Sequence, residues 1–132
     1  MPDMPVSPES PPLAPLDVAD LVIEGLDVNA GLLHVFGRKP LYLSLLRKFA
    51  AGQGEAVRDI RQALDTDDWE AAERTAHTLK GIAATLGANT LQVLAGDAND
   101  RILARSPRAD IDAVLNRLEP VLAGLTEALR RV

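Results

Sequence analysis

The segment Thr75-Ala76-His77-Thr78-Leu79-Lys80-Gly81 carries the strongest chemical signal in the chain. Residues on a helix advance by about 100° each. With Leu79 set at zero, Ala72, Ala76, Leu79, Ala83 and Leu86 fall on one apolar stripe, with Thr75 and Ile82 on its flank. His77 then lies about 160° away, on the opposite side. A histidine that belonged to the core would share the leucine stripe. This one is expected to face water, with Glu73 and Arg74 one turn back and Lys80 and Gly81 one turn on.

An imidazole in that setting can take up a phosphoryl group on a ring nitrogen. The nitrogen must be neutral, reachable and in line with the incoming phosphorus, and an exposed imidazole has an ordinary pKa of about 6.5. Lys80 can reach the phosphoryl oxygens and offset their charge. Gly81 and Ala84 clear a shallow space beside the ring, so a second protein could approach. Phosphoryl transfer depends mainly on positioning and charge neutralisation, so a bare, reachable histidine suits it. The plain alternative is an ordinary surface histidine. Gly81 argues against it: a glycine inside a helix costs about 1 kcal/mol relative to alanine, and no cap or core contact accounts for this one.

Other residues read more simply. His34 lacks such surroundings and is expected to be a surface or packing residue. The two histidines have no metal-ligand spacing, so no metal site is expected. Trp69 should anchor packing at one end of the fold. Asp65, Asp67 and Asp68 suit turn and cap chemistry, and Arg58, Arg61, Arg101 and Arg105 suit solvated faces.

The elements that must position His77 are helical throughout. A short helix is expected from Asp27 to Phe36, closed by Gly37. Pro40 opens a long helix in which Leu41, Leu45, Leu46, Phe49, Val57, Ile60 and Leu64 keep one phase to about Asp65; two shorter helices, split at Gly52 and Gly54, are the alternative. Asp67 through Glu70 matches a capping box for the His77 helix, which should end near Leu86 with Gly87 beyond. Asn89 through Gln92 is a second box, opening a helix with Leu91, Leu94, Ala95, Ala98 and Ile102 on one face. Ser106-Pro107 supplies an N-cap and a first-turn proline for the last helix. Its seam is Ile111, Leu115, Leu118, Leu122, Leu125 and Leu129, with Pro120 on the outer side, where it should kink the helix. No strand pattern competes. The expected fold is all-α: an antiparallel up-down four-helix bundle with an additional short N-terminal helix.

Composition agrees. Hydrophobic residues make up 47% of the 132 residues and aromatics only 3%, so leucine and alanine must do the packing, which favours helices. The absence of cysteine excludes disulfides, thiolate metal sites and cysteine nucleophiles, and fits a reducing compartment. No apolar run approaches the roughly 18 residues of a membrane span, and no signal peptide is expected. Residues 1–25 hold five acids and no Lys or Arg, which accounts for the whole net charge of −5. The rest is balanced, so broad nucleic-acid binding is not expected. Six of the nine prolines lie within residues 1–15. Residues 1–25 are therefore expected to be an acidic, proline-rich, flexible linker or tail, with a short helical turn at Val18–Glu24, and residues 26–132 the bundle.

The run Ala76-His77-Thr78-Leu79-Lys80-Gly81, followed by Ala83-Ala84-Thr85-Leu86-Gly87-Ala88 and Leu91, resembles the histidine-containing phosphotransfer (HPt) domain of bacterial phosphorelays. Gly25-Leu26-Asp27 and the stretch from Pro40 to Phe49 look like the HPt modules at the C-terminal end of hybrid sensor kinases. The likeness covers roughly Leu26 to Leu129. It implies that His77 is the phospho-acceptor, that Lys80 neutralises phosphoryl charge, and that Gly81 leaves room for a docking response-regulator receiver domain. Ala84, Arg74 and Glu73 are the further docking candidates. One departure stands out: Ala98 and Asn99 occupy positions where family members often carry Leu-Glu, and the difference is assigned to the partner surface.

The expected function is a phosphoryl carrier that accepts from one receiver-domain aspartate and passes to another. The chain has no Walker-type or glycine-rich nucleotide loop, so it is not expected to bind ATP or act as a kinase. No cofactor of its own is expected; Mg²⁺ would come with the partner receiver. The resemblance implies a cytoplasmic monomer, acting with a hybrid sensor kinase in cis or in trans, with no membrane contact by this segment. The alternatives are the phosphotransfer module of a chemotaxis-type kinase, a non-catalytic receiver-binding adaptor, and a structural bundle without a site.

Overall fold

The computed structural model describes residues 17–132 and, among them, is entirely helical. A 3-10 turn at Val18–Asp20 precedes six helices: α1 (Val28–His34), α2 (Lys39–Gly52), α3 (Ala56–Asp65), α4 (Trp69–Leu86), α5 (Asn89–Leu103) and α6 (Arg108–Arg130). The expected proline-rich tail falls mainly on residues 1–16, outside the described residues. The boundary expected at residue 26 lies inside packed structure, because Val18 is buried and Leu21 and Ile23 rest on the core.

Helices α2 and α3 form one arm of the bundle, and α4, α5 and α6 form the other three. α4 lies between α3 and α5, α6 between α5 and α2, and α1 covers the end where α4 finishes. The single long helix expected from Pro40 to Asp65 is two helices, broken at Gln53-Gly54-Glu55. The apolar phase carries through the break, α2 burying Tyr42, Leu46, Phe49 and Ala50 and α3 burying Ala56, Val57, Ile60 and Leu64 on the same face, so it is the backbone that gives way, at the helix-weakening pair Gly52 and Gly54. Leu41, expected in the core, is exposed. Pro120 sits on the solvent side of α6, which runs on from Arg108 to Arg130.

Three expected caps are displaced by one residue for a shared reason. Each preceding helix closes with the paired 6→1 and 5→2 bonds of a Schellman turn. At the end of α3, Asp68 N–H donates to the Ala63 carbonyl and Asp67 N–H to Leu64, with Asp67 left-handed at φ 57°. A left-handed residue cannot also be an extended N-cap, so Asp68 caps α4 instead, its Oδ1 accepting from Ala71 N–H at 3.0 Å. Arg105 (φ 54°) closes α5 the same way and occupies Ser106, so Pro107 becomes the N-cap of α6 and Arg108 its first residue. Gly87 (φ 84°) closes α4, which makes Ala88 rather than Asn89 the N-cap of α5. α1 also ends early, at His34, because Phe36 (φ 57°) takes the left-handed position expected of Gly37.

The last carbonyls of α4 have no partner within the helix. All three are taken by other parts of the chain: His34 Nδ1–H donates to Thr85 O at 3.0 Å, Tyr42 O–H to Leu86 O at 2.6 Å, and Asp27 N–H to Gly87 O at 2.7 Å. The approach is close enough that a Cβ on Gly31 would overlap Leu86 O and the Tyr42 ring. Tyr42 is fully buried, and burial, helped by the nearby Asp27 charge, pushes its phenol up from 10 to about 12. The folded state therefore holds the phenolic proton to higher pH than the unfolded chain does. Below pH 10 both states are protonated and Tyr42 adds no pH dependence. Between pH 10 and 12 the unfolded state ionises first, and stability is expected to fall by roughly 2–3 kcal/mol. Tyr42→Phe should remove that component and cost about 1–3 kcal/mol at neutral pH, since it orphans the Leu86 carbonyl. Urea unfolding of both proteins across pH 7 to about 12 checks the pair of claims.

Candidate phosphoryl-acceptor site on helix four

Helix α4 buries Ala72, Ala76, Leu79, Ala83 and Leu86, the stripe expected from spacing alone. His77 is exposed on its opposite side. It stands on a ridge between two depressions. One, of about 470 Å³, lies toward α2 and is lined by Leu45, Lys48, Phe49, Gln53, Gly81 and Thr85 among others. The other, of about 370 Å³, lies toward α5 and is lined by Glu70, Glu73, Arg74, Asn99 and Leu103. The imidazole is thus accessible from both flanks.

Gly81 is exposed, and a Cβ placed on it would meet nothing within 4 Å. The space that the spacing implied beside the ring is therefore open. Ala84, one turn further, is half-buried. Arg74 is exposed and reaches the depression toward α5. Glu73 borders the same depression, but its carboxylate accepts from Arg105 Nη1 at 2.6 Å. Arg105 also lies 4.8 Å from the centre of the Trp69 ring, so Trp69 anchors the α4–α5 corner through a cation–π contact. Arg61 and Arg101 are paired too, Arg61 with Glu119 and Asn116 of α6 and Arg101 with Asp97. These guanidinium groups cross-link helices or hold their own surface, which the reading of solvated faces did not include.

Lys80 is half-buried, and its stem lies along α5 beside Gly96. Spacing along α4 alone could not show that. Nor could it show Lys48 and Gln53, which reach the His77 groove from the α2 arm and depend on how α2 crosses α4. The Ala98-Asn99 departure divides in two. Ala98 is fully buried and packs in the core, so it belongs to no partner surface. Asn99 is 7% exposed and borders the depression beside His77. Among the described residues no group of His, Cys, Asp and Glu side chains could hold a metal ion, and no helix is long and apolar enough to cross a membrane.

A family model described as the Hpt domain matches residues 44–132. The fold is similar to the crystal structure of the HPT domain from an Hpt sensor hybrid histidine kinase from Shewanella. That match has a TM-score of 0.72 and 22% sequence identity, and covers 81% of this chain and 92% of the other. No curated protein sequence matches the chain.

Proposed function

The chain belongs to the Hpt domain family of phosphorelay phosphocarrier modules, and on that basis we propose that His77 takes a phosphoryl group from a receiver-domain aspartyl phosphate and passes it to a second receiver. A ring nitrogen of His77 attacks phosphorus, the N–P bond forms, and the acyl-phosphate P–O bond breaks. The aspartate leaves as a carboxylate with the bonding electron pair. The other ring nitrogen retains its proton until water removes it. Return transfer to a second aspartate reverses these steps. Lys80 offsets charge on the phosphoryl oxygens in both directions. Mg²⁺ enters with the receiver, and the exchange belongs to the cytoplasm.

The observation that supports this reading best is the exposed His77 ring beside open space at Gly81 on an otherwise well-packed helix. The test is incubation with a panel of radiolabelled phospho-receiver domains. Label is expected to move to this protein from at least one donor and to be lost in acid but kept in alkali, as a phosphoramidate would be. No transfer from any receiver, with transfer from a kinase catalytic domain instead, would replace the receiver-to-receiver role with that of a chemotaxis-type module. The same panel names the partner.

A further inference from the structure

Gly96 lies in the interior of α5, is buried, and is not among the glycines with left-handed backbone. Its backbone therefore does not require glycine, and glycine there weakens the helix. The reason must be sought in what surrounds it. A Cβ built on Gly96 would lie 3.5 Å from both Cδ and Cε of Lys80 and 3.9 Å from Nζ, the three nearest atoms beyond the local backbone of α5 itself. No backbone of a neighbouring helix comes as close. The missing side chain thus corresponds to a lane filled by the lysine stem.

We propose that Gly96 is a positioning residue for Lys80: the bare surface of α5 lets the lysine stem lie flat between α4 and α5, which confines its ammonium group to the flank of His77. The proposal rests on the role assigned above to Lys80. Asn99 follows Gly96 by three residues on the same side of α5 and borders the depression that His77 shares. The lane therefore runs along the side of the bundle on which the phosphoryl group would sit. A lysine stem in free solution samples many rotamers, and ordering it opposes any single useful position. Packing its methylenes on an apolar strip while the head stays wet restricts that freedom. Alanine at 96 would make ordinary contacts with the stem, whereas a long side chain would occupy the lane.

The experiment compares phosphoryl transfer rates from one phospho-receiver to the wild type, Gly96→Ala, Gly96→Leu, Gly96→Gln, Lys80→Ala and the Lys80→Ala/Gly96→Leu double variant, each shown by circular dichroism and urea unfolding to be folded. Nuclear Overhauser contacts between Lys80 Hε and Gly96 Hα are measured in the wild type. Gly96→Ala is expected to transfer at the wild-type rate. Gly96→Leu and Gly96→Gln are expected to slow transfer about 10–100-fold, as Lys80→Ala does, and the double variant to be no slower than Lys80→Ala alone. The Overhauser contact is expected to be present. Wild-type rates in both bulky variants, or a double variant slowed by the product of the two single effects, would overturn the proposal. Absence of the Overhauser contact with Lys80→Ala still slow removes the role of Gly96 and leaves that of Lys80. A fast Lys80→Ala removes both.

Discussion

His77→Gln is expected to accept no phosphoryl group from any receiver that labels the wild type, a fall of at least about a thousandfold. Glutamine keeps much of the length and polarity of histidine but has no ring nitrogen able to form the N–P bond. The fold should not register the change. His77 is exposed, and its neighbours in sequence, Ala76 and Leu79, carry the packing of that turn at 0% exposure. Surface substitutions of this kind usually fall within about 0.5 kcal/mol of neutral. Label chase on a gel and urea unfolding measure the two halves of the claim separately. Label persisting in His77→Gln would move the acceptor elsewhere, and the remaining histidine, His34, is the first place to look. His34 is also exposed, and because its Nδ1–H closes the Thr85 carbonyl at the end of α4, Nε2 would be the nitrogen that attacks there.

Gly81→Arg is expected to lower transfer from receivers by about a hundredfold while leaving the bundle at least as stable as before. The two effects separate because the Gly81 Cβ position opens into empty space on an exposed face. Alanine there should stabilise the fold by about 0.5–1 kcal/mol, since glycine gives up more backbone freedom on folding. It should leave transfer near the wild-type rate. Arginine is also a good helix former, so its cost falls on the approaching protein and not on the helix. A small phosphoramidate donor needs no docking face and should label the Arg variant and the wild type equally. Equal rates from receiver donors as well would mean that Gly81 faces no partner, and the docking role assigned to this side of α4 would fall.

The legible part of this molecule is the part governed by spacing along one helix. Periodicity of 3.6 residues placed Ala72, Ala76, Leu79, Ala83 and Leu86 inward, and all five are buried. The same arithmetic turned His77 outward, where it is exposed. The displaced caps have a different origin. Asp67, Ser106 and Asn89 each had suitable chemistry for an N-cap. Whether a residue can serve depends on how the helix before it ends, and three of the left-handed closures fall on Phe36, Asp67 and Arg105, where no glycine marks them. Local preference and chain closure competed, and closure prevailed by one residue at each joint.

The amino-acid order alone determined an all-helical chain, the inward face of the histidine helix, and the presence of an imidazole, an ammonium group and a bare glycine within two turns, because these follow from chemistry and pitch within a single segment. Only the tertiary structure decided that Lys48 and Gln53 line one depression with the histidine, that Gly96 receives the lysine stem, that Ala98 is core, and that Arg105 holds Glu73. Those relations join residues on different helices. They depend on crossing angles and register between surfaces, and no repeat along one strand of sequence encodes them.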